Sequence, residues 1–181
     1  MAYTDTIFNT EKSTFQACES LKNLQSEAKT SFLSEGIPTI KNEEWKFTSL
    51  AKVFKHDYAL ISATSLELDD KLASFDQYQI VTQNGVLDIK RTDITADSSI
   101  EIADLADKLK DEDFVKNNFN KSFENDLDAT VNLNTALLQG GVYIKVKKGK
   151  SIEKPIVIQQ LLAAKSENTV TYSRIFVDIE E

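Results

Sequence analysis

Apolar residues spaced three or four apart predict a helix near the start of the chain, with a stripe formed by Phe15, Cys18, Leu21, Leu24, Ala28 and Phe32. Polar residues fill the other faces, so the apolar stripe must lie against another part of the protein. Asn9 or Thr10 is expected to cap the start of this helix. Gly36, followed by Pro38, is expected to end it.

A second, short helix is expected just beyond Pro38. Asn42 is a residue type that caps helices, and Glu43 and Glu44 in the first turn suit the positive end of the helix dipole. The residues that follow contribute a dense apolar set, namely Trp45, Phe47, Leu50 and Phe54.

The pattern changes to a period of two in the middle of the chain. Two runs, 78–83 and 86–90, flank the dipeptide Asn84-Gly85. This dipeptide predicts a β-hairpin, because a type I′ turn needs positive φ at both of its central positions.

Three further helical patterns follow the hairpin. Ser98 and Glu101 have the spacing of a capping box ahead of the first, and Asp111-Glu112-Asp113 fits the first turn of the second. The third is expected to end at Gly140-Gly141. The apolar residues of the three patterns are Ile102, Leu105 and Leu109, then Val115, Phe119, Phe123 and Leu127, and finally Val131, Leu133, Ala136 and Leu137.

The chain after Gly140-Gly141 has the pattern of β-strands to its end. One strand alternates through Val142, Ile144 and Val146, and a second run, 156–158, directly follows Pro155. The last run, 169–179, alternates apolar residues at 175, 177 and 179 against Phe176 and Asp178. Solenoids begin in this way, although three strands are too few to prove a repeat.

Composition and charge exclude several classes of protein for this chain. The 181 residues suffice for one large domain or two small ones without a disulfide or metal staple. The single Cys18 excludes a disulfide framework within one chain and fits a cytoplasmic protein. A net charge of −8 argues against nucleic acid as the main partner. The sequence has no signal-peptide pattern at its start and no apolar run of about 18 residues, so no membrane partner is expected.

Candidate catalytic residues are few. His56 is the only imidazole, and its polar neighbours favour an exposed, idle side chain over a member of a catalytic triad. Cys18 lies on the apolar stripe, where a buried inert thiol is favoured over a nucleophile. The acidic runs lack the spacing of a calcium loop, and no phosphate-binding glycine loop occurs. A pair of catalytic carboxylates for sugar hydrolysis remains an open alternative, but the sequence indicates no particular pair of Asp or Glu residues.

Residues 36–50, which we call the signature segment, carry a family resemblance. Gly36-Ile37-Pro38-Thr39, then Glu43-Glu44-Trp45-Lys46-Phe47-Thr48 and Leu50, resemble the N-terminal signature of the SufD branch of the SufB/SufD family of iron–sulfur cluster assembly scaffolds. The hairpin at 80–87, with Asn84-Gly85, and the stretches 133–136, 140–146 and 154–158 are also similar to the family. The signature residues that the resemblance marks, as structural or interface positions, are Pro38, Thr39, Glu44, Trp45, Lys46, Thr48 and Leu50.

The resemblance implies an α+β fold. Residues 1–139 are expected to form a mainly helical region with the β-hairpin, and residues 140–181 to begin a right-handed parallel β-helix. The family's β-helix is longer than this stretch, so we expect the chain to be the N-terminal part of a longer protein. An uncovered coil leaves a free strand edge, here at 157–158 and 175–177, so the chain alone is expected either to self-associate there or to leave those strands disordered or repacked.

The resemblance also implies a function without catalysis. It predicts a scaffold subunit that works with SufB-like and SufC-like subunits, in a complex that handles an iron–sulfur cluster and whose SufC-like subunit binds ATP. No cofactor is expected on this chain itself. The alternative from another class is a carbohydrate-active enzyme or sugar-binding module built on a β-helix, a fold that hosts both. For Trp45, anchoring of the short helix is favoured over contact with another subunit.

Overall fold

A computed structural model of the chain describes residues 7–8, 16–61, 76–94, 98–121, 128–163 and 168–180. The helices of this part are α1 (Glu19–Glu35), α2 (Leu105–Lys108), α3 (Glu112–Asn117) and α4 (Ala129–Ala136), with 3₁₀ turns at Glu43–Trp45 and Val53–Lys55. The strands are β1 (Ala59–Leu60), β2 (Tyr78–Gln83), β3 (Val86–Leu87), β4 (Ile100–Asp104), β5 (Gly140–Val146), β6 (Ile156–Leu161), β7 (Thr169–Val170) and β8 (Ser173–Ile179). Within these residues, no helix combines the length and apolar character needed to cross a membrane.

The predicted first helix is confirmed as α1. Its stripe is buried at Leu21, Ala28 and Phe32, and it packs against α3 and α4. Gly36 ends the helix as predicted, with φ of 75° and its N–H bonded to the carbonyl of Phe32 at 2.8 Å. The helix begins later than expected, after Cys18, and the proposed caps Asn9 and Thr10 lie outside the described residues.

The hairpin is also confirmed. Strands β2 and β3 pair antiparallel, and Asn84 and Gly85 have φ of 47° and 83°, as a type I′ turn requires. Gly85 is needed for a second reason, since a Cβ there would lie 2.8 Å from the hydroxyl oxygen of Thr171. The second strand of the hairpin is shorter than predicted, because the chain turns again at 89–91.

The capping box at Ser98 and Glu101 is wrong. Residues Ile100–Asp104 form strand β4, which pairs antiparallel with β5 so that Ile102 lies opposite Ile144. Helix α2 starts only afterwards, and the carboxylate of Asp104 caps it by accepting the N–H of Ala106 at 2.8 Å. The β-branched pair Ile100 and Ile102 favours the strand, and pairing with β5 outweighs the local capping signal.

The two later helical patterns are confirmed in part. Glu112 and Asp113 lie in the first turn of α3 as predicted, but Asp111 is its N-cap, accepting the N–H groups of Asp113 and Phe114, and α3 ends at Asn117. Phe123 and Leu127 of that pattern lie outside the described residues. The third pattern forms α4, whose C-cap is Leu137. Gly140-Gly141 begins β5 instead of ending the helix, so that part of the prediction is wrong.

Strands of the C-terminal part join three separate sheets. Strand β7 pairs parallel with β1, β6 pairs parallel with β2 over six residues, and β8 pairs parallel with β5 over seven. Consecutive strands β5, β6 and β7 thus belong to three sheets, after which β8 returns beside β5. The predicted last strand is divided in two, at 169–170 and 173–179.

Strand β5 lies at the centre of the apolar packing. On one face, Val142 and Ile144 join a buried cluster with Ile80, Ile94 and Ile100. On the other face, Tyr143 joins a second cluster that contains Leu21 of α1. Because both faces of β5 are covered, apolar side chains occur at nearly every position of this strand after its two glycines. A third cluster lies between α1 and α4, and its buried residues are Ile7, Phe32, Ala129, Leu133 and Tyr172.

Candidate functional site

The signature segment folds as an extended stretch followed by one 3₁₀ turn. Pro38 is buried beside the end of α1, and the chain turns at Glu43–Trp45. Asn42 holds the turn differently from the prediction: its side-chain oxygen accepts the N–H of Thr39, at 3.0 Å, and does not cap the turn that follows it. The segment is therefore fixed by bonds between residues close in sequence.

Trp45 ties this turn to the rest of the molecule. Its indole N–H donates to a carboxylate oxygen of Asp128 at 2.6 Å. The other oxygen of Asp128 caps α4 by accepting the N–H of Thr130 at 2.7 Å. Partial burial raises the pKa of Asp128, but the hydrogen bonds from Thr130 and Trp45 outweigh that effect and lower it overall. One ionised carboxylate thus links the signature segment to a helix far away in sequence.

A cleft of about 440 Å³ lies beside this link. Its walls carry three carboxylates, from Glu35, Glu44 and Asp128, and it is completed by Gly36, Ile37, Pro38, Asn42 and Ala129. Such a lining suits a cationic or hydrogen-bond-donating group. The described residues contain no group of three or more His, Cys, Asp or Glu side chains arranged to hold a metal ion.

The predicted site residues divide into an inner and an outer set. Pro38 is buried, Trp45 and Leu50 are half-buried, and the carbonyl of Leu50 accepts the N–H of Phe54 at 3.1 Å. The outer set is exposed to solvent and consists of Thr39, Glu44, Lys46 and Thr48. Whether these residues serve structure or an interface stays a prediction.

Phe47 departs from the sequence prediction. It was placed in a dense apolar set with Trp45, but 94% of its surface is exposed. The Lys46 ammonium lies 5.7 Å from the centroid of its ring. The two aromatic residues of the turn therefore point to different environments, with Trp45 toward Asp128 and Phe47 toward solvent.

The two candidate catalytic residues lie in separate places. His56 is exposed after the Val53–Lys55 turn, with its ring edge toward Tyr58 at a centroid distance of 6.4 Å. Cys18 is half-buried before α1, where burial raises the pKa of its thiol. Neither residue lines the cleft. His56 is exposed as expected, whereas Cys18 is less buried than expected, and the absence of a catalytic role for either residue stays a prediction.

Two polar anchors escaped the sequence analysis. Glu112 of α3 bonds the start of α1, accepting the Ser20 hydroxyl at 2.5 Å and the Ser20 N–H at 3.3 Å. Arg174 of β8 donates to the side chains of Asn134, at 2.7 Å, and Thr135, at 2.6 Å, on α4. Burial lowers the pKa of Arg174 to about 10. Glu112 was predicted only as part of the first turn of α3, and residues 133–136 only as part of the family resemblance, because no local pattern reveals partners so distant in sequence.

Strand β8 forms the outer edge of its sheet in the described part of the chain. Its side chains at 175, 177 and 179 lie in register with Val142, Ile144 and Val146 of β5, which are buried. On β8 itself the same face is open, and Val177 is 53% exposed. An apolar face and a row of unpaired backbone groups thus coincide at this edge.

Comparison with known proteins identifies the family. Curated protein sequences give no match to the chain. A family model described as "SufBD protein N-terminal region" matches residues 2–158, which include the signature segment, the hairpin and strands β1 to β5. This match covers most of the 181 residues. The chain therefore belongs to the SufBD protein family, whose N-terminal region it contains.

Proposed function

We propose that this chain is a SufD-like, non-catalytic scaffold subunit of the Suf iron–sulfur cluster assembly machinery. The observation that carries the proposal is the family match over residues 2–158. Assignment to the SufD branch is supported by the signature segment, with its Glu43-Glu44-Trp45-Lys46 core. The assignment is the finer part of the proposal and rests on the resemblance alone.

The geometry of the described residues supports a scaffold over an enzyme. The cleft is lined by three carboxylates, while His56 and Cys18 lie elsewhere. No imidazole or thiol among the described residues therefore stands beside these carboxylates for acid–base or nucleophilic catalysis in the cleft. The strongest polar links, at Asp128 and Arg174, instead connect elements of the fold to one another.

We also propose that β5 to β8 begin a right-handed parallel β-helix. In such a solenoid each coil places one strand in each of several sheets, and the next coil stacks parallel on it. Strands β5, β6 and β7 follow this order, and β8 lies parallel beside β5. Strands β1 and β2, from earlier in the chain, take the places beneath β7 and β6.

The proposed partners are SufB-like and SufC-like subunits in the cytoplasm. In this arrangement the iron–sulfur cluster is cargo of the complex, ATP binds the SufC-like subunit, and this chain holds no cofactor of its own. Co-expression with both subunits tests the proposal: a stable complex containing this chain is expected. If the chain copurifies with neither subunit, or if it cleaves polysaccharides, the proposal is wrong.

We propose, in addition, that the chain by itself associates through β8. Two copies can pair their β8 edges antiparallel around Val177, which places Ile175 of each copy opposite Ile179 of the other. This register brings like apolar residues together and pairs the free backbone groups.

Light scattering after size exclusion, at several concentrations, tests this self-association. A concentration-dependent dimer is expected, and Val177→Lys should abolish it. Ile89→Lys is the matched control, because Ile89 is also 53% exposed but lies outside β8. A strict monomer, or an equal effect of the two variants, would contradict the proposal.

A further inference from the structure

The turn of the β2–β3 hairpin contains a chemically reactive pair of residues. Asn84 is the only asparagine of the chain that is followed by glycine. Because glycine has no side chain to shield its backbone nitrogen, this nitrogen can attack the side-chain carbon of a preceding asparagine and expel ammonia. The dipeptide that suits a type I′ turn is therefore also a site of spontaneous deamidation.

Three hydrogen bonds hold Asn84 in the folded chain. Its side-chain oxygen accepts the N–H of Ala163 at 2.9 Å. Its own N–H donates to the carbonyl of Leu161 at 2.8 Å, and its carbonyl accepts the hydroxyl of Thr171 at 2.9 Å. The turn is thus bonded both to the end of β6 and to the residue that follows β7.

The same turn is closed to solvent. Asn84 is only 2% exposed, and Gly85 is buried beside it. A Cβ at Gly85 would lie 2.9 Å from the Cβ of Ser173, which shows how closely the strand region after β7 covers the turn. A base from the solvent has to reach the N–H of Gly85 before its nitrogen can attack. The reaction therefore needs a local opening of the structure.

We infer that Asn84 is a deamidation site controlled by the fold, which reacts when the turn separates from Ala163 and Thr171. The Gly85 nitrogen gives up its proton and forms a bond to the side-chain carbon of Asn84. The bond from this carbon to the amide nitrogen breaks, and the amide nitrogen takes up a proton and leaves as ammonia. Water then opens the cyclic imide at either of its carbonyl groups, which leaves an aspartate or an isoaspartate. Water is the only co-reactant, and no electrons are transferred.

Deamidation converts a transient opening into a permanent change of the turn. An aspartate at this position carries a charge where only 2% of the residue is exposed, and burying a charge is costly. An isoaspartate lengthens the backbone by one methylene group, so the turn loses its fit against Thr171 and Ser173. Either product should weaken the attachment of the hairpin to β6 and to the chain after β7.

Mass spectrometry of the whole chain, incubated in mildly alkaline buffer with and without guanidinium chloride, tests the inference. Deamidation of Asn84 should be at least about tenfold slower in the folded chain, because it requires local opening. Thr171→Val removes the hydroxyl that bonds the turn, and should speed the reaction in buffer while leaving the rate in denaturant unchanged. Thr171→Ser keeps a hydroxyl and should restore the slow rate.

Thr169→Val is the matched control for Thr171→Val. Thr169 is also a half-buried threonine, lies on β7, and has no bond to the hairpin among the described contacts. Its replacement should change neither rate. Equal rates for the unmodified chain in buffer and in denaturant would overturn the inference. Equal acceleration by the two valine variants would also overturn it, because the protection would then come from overall stability and not from the contact with Thr171.

The effect on the fold is tested with chain that has been deamidated in denaturant and then refolded. It is compared with chain kept for the same time in mildly acidic denaturant, where the imide forms slowly because hydroxide is scarce. The deamidated chain should melt at a lower temperature than this control. Equal melting temperatures would contradict the claim that Asn84 holds the turn in place.

Discussion

The signature segment and the sheet of β4, β5 and β8 are stabilised in different ways. Strand β5 is paired on both edges and covered on both faces, so its place depends on many backbone bonds and a broad apolar contact. The signature segment depends on buried Pro38, on short-range bonds and on one link from Trp45 to Asp128. Stability is therefore concentrated in the strands, whereas the segment leaves its polar and aromatic side chains available to a partner.

The largest loss of stability is expected when Gly141, in strand β5, is replaced. A Cβ there would lie 1.8 Å from the carbonyl oxygen of Arg174, at a φ of 142°. Gly141→Ala should therefore lower the free energy of unfolding by about 3 kcal/mol or more, or prevent folding.

Gly149 provides the control for this substitution. Its φ is 68°, and nothing lies within 4 Å of a Cβ placed there. Gly149→Ala should cost only about 1 kcal/mol, from backbone strain alone. Urea unfolding of both variants measures their free energies of unfolding. Similar losses of stability for the two variants would contradict the close approach of β5 and β8.

A smaller loss is expected at the link between the segment and α4. Asp128→Ala removes both the helix cap and the acceptor for Trp45, and should cost about 2 to 3 kcal/mol. Trp45→Phe removes only the indole N–H, and should cost about 1 to 2 kcal/mol. Because the variants share one hydrogen bond, their costs should not add in the double variant. Additive costs in urea unfolding would show that the link contributes nothing.

The bond between α1 and α3 should make stability depend on pH. Hydrogen bonds from Ser20 lower the pKa of Glu112 from 4.5 to about 2. Since the pKa is depressed in the folded chain, the stabilisation is present above pH 4.5 and is lost as the pH falls toward 2. Glu112→Gln should therefore lower the melting temperature at pH 7 and have little effect near pH 2.

Asp113→Asn is the control for Glu112→Gln, because Asp113 also lies in the first turn of α3 but has no bond to Ser20 among the described contacts. Its effect on the melting temperature at pH 7 should be smaller. Equal effects of the two variants at pH 7 would assign the stabilisation to the helix dipole instead.

The smallest effect on stability is expected at Phe47. Since its ring is almost fully exposed, Phe47→Ala should change the free energy of unfolding by less than about 0.5 kcal/mol. Thermal unfolding checks this value. A loss of 2 kcal/mol or more would show that the ring is buried in the folded chain.

Much of the local structure was predictable because it depends on neighbouring residues. The Asn84-Gly85 turn, the acidic first turn of α3 and the stop at Gly36 each follow from the chemistry of a few neighbouring residues. The capping box at Ser98 failed because β5 offers an edge to Ile100–Asp104, and pairing between distant strands overrides a local signal.

The candidate site was predictable only as a segment. Residues 36–50 stand out in the sequence, but the inward direction of Trp45 depends on Asp128, far along the chain. Trp45 finds that partner and turns inward, whereas Phe47 has an equally apolar side chain and turns outward. Hydrophobicity alone does not separate the two, because the difference arises from one long-range hydrogen bond and the shape of one turn.

Hydrogen–deuterium exchange, measured on the chain alone and with SufB-like and SufC-like subunits, tests the central claim most directly. We predict that β5 exchanges slowest in the free chain, and that the signature segment exchanges faster than β5 but gains protection when a subunit is added. A complex that forms while the signature segment keeps its free rates would contradict the claim that this segment meets the partner.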